Sequence, residues 1–146
     1  MAETVCVDAS LALLRVLVEN RTPAARALFR RWRSQRIRLM APPMFNAEVT
    51  SVLRRKVFDR YLTPERGERA FAMSLRWRVT IRAPSGLQRT AWSLAKAVNQ
   101  RRAYDAQYLA LADLLGCELW TGDERLYNAC QQAGLSWVHS VGEVVP

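Results

Sequence analysis

Histidine is nearly absent from this chain: of 146 residues, only His139 carries an imidazole. Metal sites and catalytic triads built on histidine pairs are thereby excluded, and any catalysis must lean on carboxylates. Cysteine is scarce as well. Cys6, Cys117 and Cys130 make an odd number, no two at metal-ligand spacing, so they read as small, buried, reduced thiols. Lysine is limited to Lys56 and Lys96, against twenty arginines. No apolar run approaches the roughly 18 residues that cross a bilayer. The opening MAETVCVDAS has an acid at Glu3 and no basic stretch, so no signal peptide is expected. These absences point to a cytoplasmic protein with no membrane association.

What is present is a folding composition. Half the residues are apolar, and the length suits one domain spanning 1–146. The net charge of +9 comes almost entirely from arginine, whose planar fork matches phosphate oxygens. A basic surface attracts polyanions, nucleic acid first among them. Scattered arginines also simply keep a surface wet, so charge alone leaves both readings open.

Short apolar runs alternate with amphipathic stretches. TVCV at 4–7 reads as a buried strand ending at Asp8; Ser10 then looks like the cap of a helix running to about Glu19. Thr22-Pro23 opens a second helix, with Leu28, Phe29 and Trp32 inward and Arg26, Arg30 and Arg33 outward. A strand at 37–41 stops at Pro42-Pro43, and Asn46 looks like the cap of a third helix. Thr63-Pro64 opens a fourth helix closing near Trp77, followed by a strand at 79–83 and a fifth helix from Leu87 to Val98. A helix over 104–115 ends on Gly116; then come a strand at 117–120, a helix at 124–133 and a last strand at 136–141. Unalternating strands separated by helices predict an α/β fold, a three-layer α/β/α sandwich around a short parallel β-sheet.

Four acids fall at telling places in that scheme. Asp8 ends the first strand, and Asp123 lies in the turn Thr121-Gly122-Asp123 after the fourth. Asp105 lies in the first turn of one helix, and Glu48 two residues past the cap of another. In a parallel sheet, the C-terminal strand ends and the following helix starts share one rim, where ligands bind. Four carboxylates converging there repel one another unless cations intervene. Oxygen donors without histidine or cysteine favour Mg²⁺ or Mn²⁺, ions suited to hydrolysing a phosphodiester. The plain alternative is that each acid only caps a helix.

The segments VCVDAS, NAEVTSVL, YDAQYLALADLLG and LWTGDERL resemble the PIN-domain family, in particular its VapC-type toxin branch, from about residue 4 to residue 139. The resemblance implies a compact α/β/α domain, a divalent metal site and hydrolysis of RNA. It maps the family's acids onto Asp8, Glu48, Asp105 and Asp123. It also implies a small cognate antitoxin as partner and a homodimer. Residues 54–103 match no motif and carry nothing over.

Ser10 and Thr121 are candidates to hydrogen-bond the carboxylates that hold metal, or else a helix cap and a strand-end residue. Arg101, Arg102 and Arg125 flank the acids and are the candidate phosphate contacts. Asp113, Glu118 and Glu124 read as solvated charges, Tyr104 and Tyr108 as core edge, and the five tryptophans as mostly core. An aspartyl-nucleophile phosphatase also begins with a strand-terminal Asp, but it needs a second Asp where this chain has Ser10. A non-cleaving PIN-like module and an RNA-processing nuclease without antitoxin are the remaining alternatives.

Overall fold

The computed structural model describes residues 3–101 and 103–146. The chain begins with β1 (Thr4–Val7), α1 (Ala9–Leu13), α2 (Thr22–Ser34), β2 (Arg38–Ala41), α3 (Met44–Phe58) and α4 (Pro64–Ser74). It continues with β3 (Val79–Ile81), α5 (Leu87–Ala97), α6 (Tyr104–Leu115), β4 (Glu118–Thr121), α7 (Glu124–Gln132) and β5 (Val138–Ser140), then a 3₁₀ turn at Val141–Glu143. All pairings are parallel, in the order β3-β2-β1-β4-β5. Cys6 lies opposite Met40 on one side and Leu119 on the other, so β1 is the central strand.

Burial explains why the strands lack alternation. Val5, Cys6 and Val7 are buried in succession, as are Leu119, Trp120 and Thr121, because helices cover both faces of the sheet. From β1 the chain works outward to β2 and β3. It then crosses back through α5 and α6 to β4, and on to β5. Right-handed crossovers in these two opposite directions put the two sets of helices on opposite faces. The direction reverses between β1 and β4, and ligands bind in the crevice beyond the C-terminal strand ends at such a point. Asp8 and the Thr121-Gly122-Asp123 turn flank that crevice.

Several local expectations need correction. The helix after β1 is capped by Asp8, not Ser10: the Asp8 carboxylate accepts the Leu11 N–H at 2.9 Å. It stops at Leu13, and the chain tightens into i→i−3 bonds at Leu14, Arg15 and Val16, so it never reaches Glu19. Thr22 does not cap α2; its hydroxyl accepts the Glu19 N–H and donates to the Leu17 carbonyl, closing the preceding loop. Nor does Asn46 cap α3. Pro43 already has helical φ and ψ, so the helix starts at Met44 and Asn46 lies inside its first turn. The cap at Thr63 stands, its hydroxyl accepting the Arg66 N–H at 3.2 Å. Gly116 ends α6 at φ 65°, a left-handed conformation that a side chain would strain.

Candidate functional site

Asp8 is the innermost acid, 5% exposed, fixed by the end of β1 and the start of α1. Three donors hold its carboxylate: the Leu11 N–H and the Ser10 hydroxyl (2.7 Å) on Oδ1, and the Thr121 hydroxyl on Oδ2. The same two hydroxyls reach the other wall. Thr121 Oγ1 accepts the Asp123 N–H at 2.9 Å, and Ser10 Oγ accepts the Gly122 N–H at 3.0 Å. One rigid polar seam thus joins the start of α1 to the β4–α7 turn. Gly122 lets the two walls approach, because a Cβ there would stand 3.1 Å from the backbone of Ser10 and Leu11, tighter than an ordinary contact.

Asp123 caps α7, accepting the N–H groups of Arg125 (2.9 Å) and Leu126 (3.2 Å). Asp105 lies in the first turn of α6. Glu48 is in the second turn of α3, past the first turn expected for it, because the helix starts early. Its Oε1 accepts the Tyr108 hydroxyl at 2.8 Å. Tyr108 is buried as expected, yet its hydroxyl anchors Glu48. Its spacing from Asp105, i to i+3 on one helix face, was the available signal.

The acids perturb one another. Burial pushes Asp8 up to about 6, against the pull of its three donors, and the charge of Asp105 adds to the rise. Burial also raises Glu48, countered by Tyr108 and reinforced by the charges of Asp8 and Asp105. Asp105 is raised by burial and by Asp123. Carboxylates from four distant segments therefore stand close enough to feel each other's charge. Among the described residues none of them forms an ion pair with Arg, Lys or His. Nor, among those residues, do three or more His, Cys, Asp or Glu side chains close to the spacing of a common ion. The donor set is all hard oxygen and electrostatically unbalanced, which fits a hard divalent cation.

Arg21, which the sequence did not single out, braces the same turn. It donates to the Gly122 carbonyl and lies 3.6 Å from Glu124, which in turn accepts the Ser140 hydroxyl. Its partner is 101 residues away, so no local pattern announces it. Glu118, expected as a solvated charge, pairs with His139 at 2.7 Å. Arg101 and Arg125 are exposed; Arg102 lies outside the described residues. Tyr104 is not core edge: as the first residue of α6 it is 64% exposed. Trp92 likewise departs from the core assignment at 68% exposed.

An open parallel sheet with acids gathered at its switch point is the arrangement of a PIN domain. The profile of that family matches residues 5–131, and the chain belongs to the PIN domain family. It is similar to the ribonuclease VapC9 of Mycobacterium tuberculosis, 35% identical over 127 residues, covering 87% of this chain and 91% of the relative. Ribonuclease VapC3 of the same species is 35% identical over 141 residues, covering 96% and 93%. Among solved structures, the sarcin-ricin loop cleaving toxin VapC20 of M. tuberculosis superposes with a TM-score of 0.60 at 20% identity, covering 86% of this chain and 94% of its own. PAE2754 of Pyrobaculum aerophilum gives 0.63 at 19% identity, covering 97% and 85%. At such identities these two structures speak for the fold alone.

Proposed function

We propose that this chain is a single-domain, metal-dependent endoribonuclease, the toxin of a type II toxin–antitoxin pair. The observation that carries the proposal is the gathering of acids at the sheet's switch point, where the charge of Asp105 raises Asp8 and Glu48, Asp8 raises Glu48 and Asp123 raises Asp105, with no ion pair among the described residues to relieve it. Kinship with proteins named as VapC ribonucleases supports RNA as the substrate.

In this reading the four carboxylates hold Mg²⁺ or Mn²⁺. Bound there, the cation would polarise a phosphodiester and acidify a water. The remaining work belongs to the chain. Thr121 and Ser10 fix both oxygens of Asp8 in one orientation, and Tyr108 aims Glu48. Asp123 is held by two backbone donors, so its free oxygen is presented in a fixed direction. Such outer partners set ligand orientation and basicity. Arg101, Arg102 and Arg125 grip RNA phosphates on the rim, because the acidic crevice itself repels them.

A small antitoxin would silence the site most simply by placing an arginine against the carboxylates, since guanidinium pairs with two of them at once. The chain would work in the cytoplasm as a homodimer. The test is RNA cleavage with Mg²⁺ or Mn²⁺, with and without excess chelator. Metal-dependent cleavage that Asp8→Asn abolishes is expected. Cleavage that survives the chelator overturns the metal reading, and absence of cleavage across tRNA, rRNA and mRNA substrates overturns the nuclease.

A further inference from the structure

Away from the carboxylates, two thiols meet. Cys6 on β1 and Cys117, the residue just before β4, lie with their sulfurs 3.6 Å apart, although 111 residues separate them in sequence. Both are free, and Cys6 is 0% exposed. Cys117 is half-buried and lines a surface cavity of about 550 Å³ at the N-terminal ends of the strands, together with Glu3, Thr4, Asp113, Glu118 and Trp137. That end of the sheet is opposite the one carrying Asp8 and Asp123. One sulfur is thus open to a small molecule, and the other is sealed behind it within reach.

We propose that Cys117 is an oxidation site for small neutral hydroperoxides and that Cys6 resolves it to an intramolecular disulfide. The acids around the cavity disfavour anionic oxidants, among them glutathione disulfide, and leave hydrogen peroxide as the fitting class. The first step forms a bond between Cys117 sulfur and one peroxide oxygen and breaks the O–O bond. Sulfur loses two electrons, and the departing hydroxide takes the thiol proton to leave as water. In the second step Cys6 sulfur attacks the Cys117 sulfur and displaces its hydroxyl, which leaves as water with the Cys6 proton. Two thiols and one peroxide thus give one disulfide and two waters.

Two further facts suit this division of labour. The Cys117 thiol is lowered by the hydrogen bond from Cys6, which favours the thiolate that attacks. Cys130, also buried, stands apart from the pair and serves as the internal control. The new bond would tie β1 to β4, the two strands whose far ends carry Asp8 and Thr121.

The experiment treats the folded full chain with hydrogen peroxide, then unfolds it in an alkylating reagent and maps the peptides by mass. The expected product is lighter by two hydrogens, with Cys6 joined to Cys117 and Cys130 alkylated. In Cys6→Ser, Cys117 should stop at the sulfenic acid, which dimedone traps. In Cys117→Ser, oxidation of Cys6 should slow by at least about tenfold, because its sulfur has no access of its own. Alkylation of all three thiols after peroxide treatment would overturn the proposal. So would a disulfide found only between two chains, or Cys6 oxidised at an unchanged rate in Cys117→Ser.

Discussion

Replacing Asp8 by Asn should make the metal-free protein more stable at neutral pH while it destroys the site. Burial raises this carboxyl from the ordinary 3.8 to about 6. Keeping it ionised in the folded chain therefore costs about 3 kcal/mol, at about 1.4 kcal/mol per pH unit. The unfolded chain releases the proton near 3.8 and the folded chain near 6. The stabilising contribution of the protonated form is thus complete below 3.8 and is lost as pH rises to about 6. Asparagine escapes that loss and keeps one oxygen for Leu11 and Ser10, but its amide nitrogen cannot accept the Thr121 hydroxyl, which costs about 1 kcal/mol. A net gain of about 2 kcal/mol remains, equivalent to a rise of about 4–8 °C in melting temperature for a chain of this size. The assay is thermal unfolding followed by circular dichroism in chelator, at pH 7 and again at pH 3.5, where the advantage should vanish. If Asp8→Asn melts below the parent at pH 7 and the gap ignores pH, the electrostatic reasoning fails.

Three other substitutions probe the seam around that acid. Gly122→Ala drives a methyl to 3.1 Å from the backbone of Ser10 and Leu11. It should cost about 1–3 kcal/mol of stability, read by denaturant titration, and cut RNA cleavage with it. Tyr108→Phe removes the donor to Glu48, which holds that carboxyl down. Glu48 should then titrate higher, moving the acid limb of the pH–activity profile upward and lowering cleavage about tenfold. Arg101→Ala with Arg102→Ala, in a cleavage-dead background, should weaken RNA binding about equally for all sequences. Each loss should flatten the salt dependence by about one unit, read by filter binding at several salt concentrations.

The sheet and the placement of the candidate acids on its rim were legible in the sequence because those features are local. A β-branched run ending in an acid, as in TVCVD, announces a buried strand and its rim, and the Gly116 stop announces the end of α6. Helix starts were less legible, since competing polar groups sit within two residues of each other. Asp8 takes the cap through the Leu11 N–H, while the Ser10 hydroxyl is engaged across the cleft by Gly122. The Pro42-Pro43 pair starts α3 before Asn46 can cap it, which moves Glu48 a turn deeper along the helix. As site residues, Tyr108 carried only the faint signal of its spacing from Asp105, and Arg21 carried none. Their partners lie 60 and 101 residues away, and only the assembled sheet brings them together.

The central claim, that four carboxylates form one divalent cation site, is tested most directly by titration calorimetry of Mn²⁺ into the parent protein and four variants. These are Asp8→Asn, Glu48→Gln, Asp105→Asn and Asp123→Asn, each confirmed folded by circular dichroism. Every single substitution should weaken Mn²⁺ binding by about tenfold or more, since even residues one shell removed from a metal commonly matter that much. Parent-like binding in all four variants, or no binding by the parent at millimolar Mn²⁺, would contradict the account.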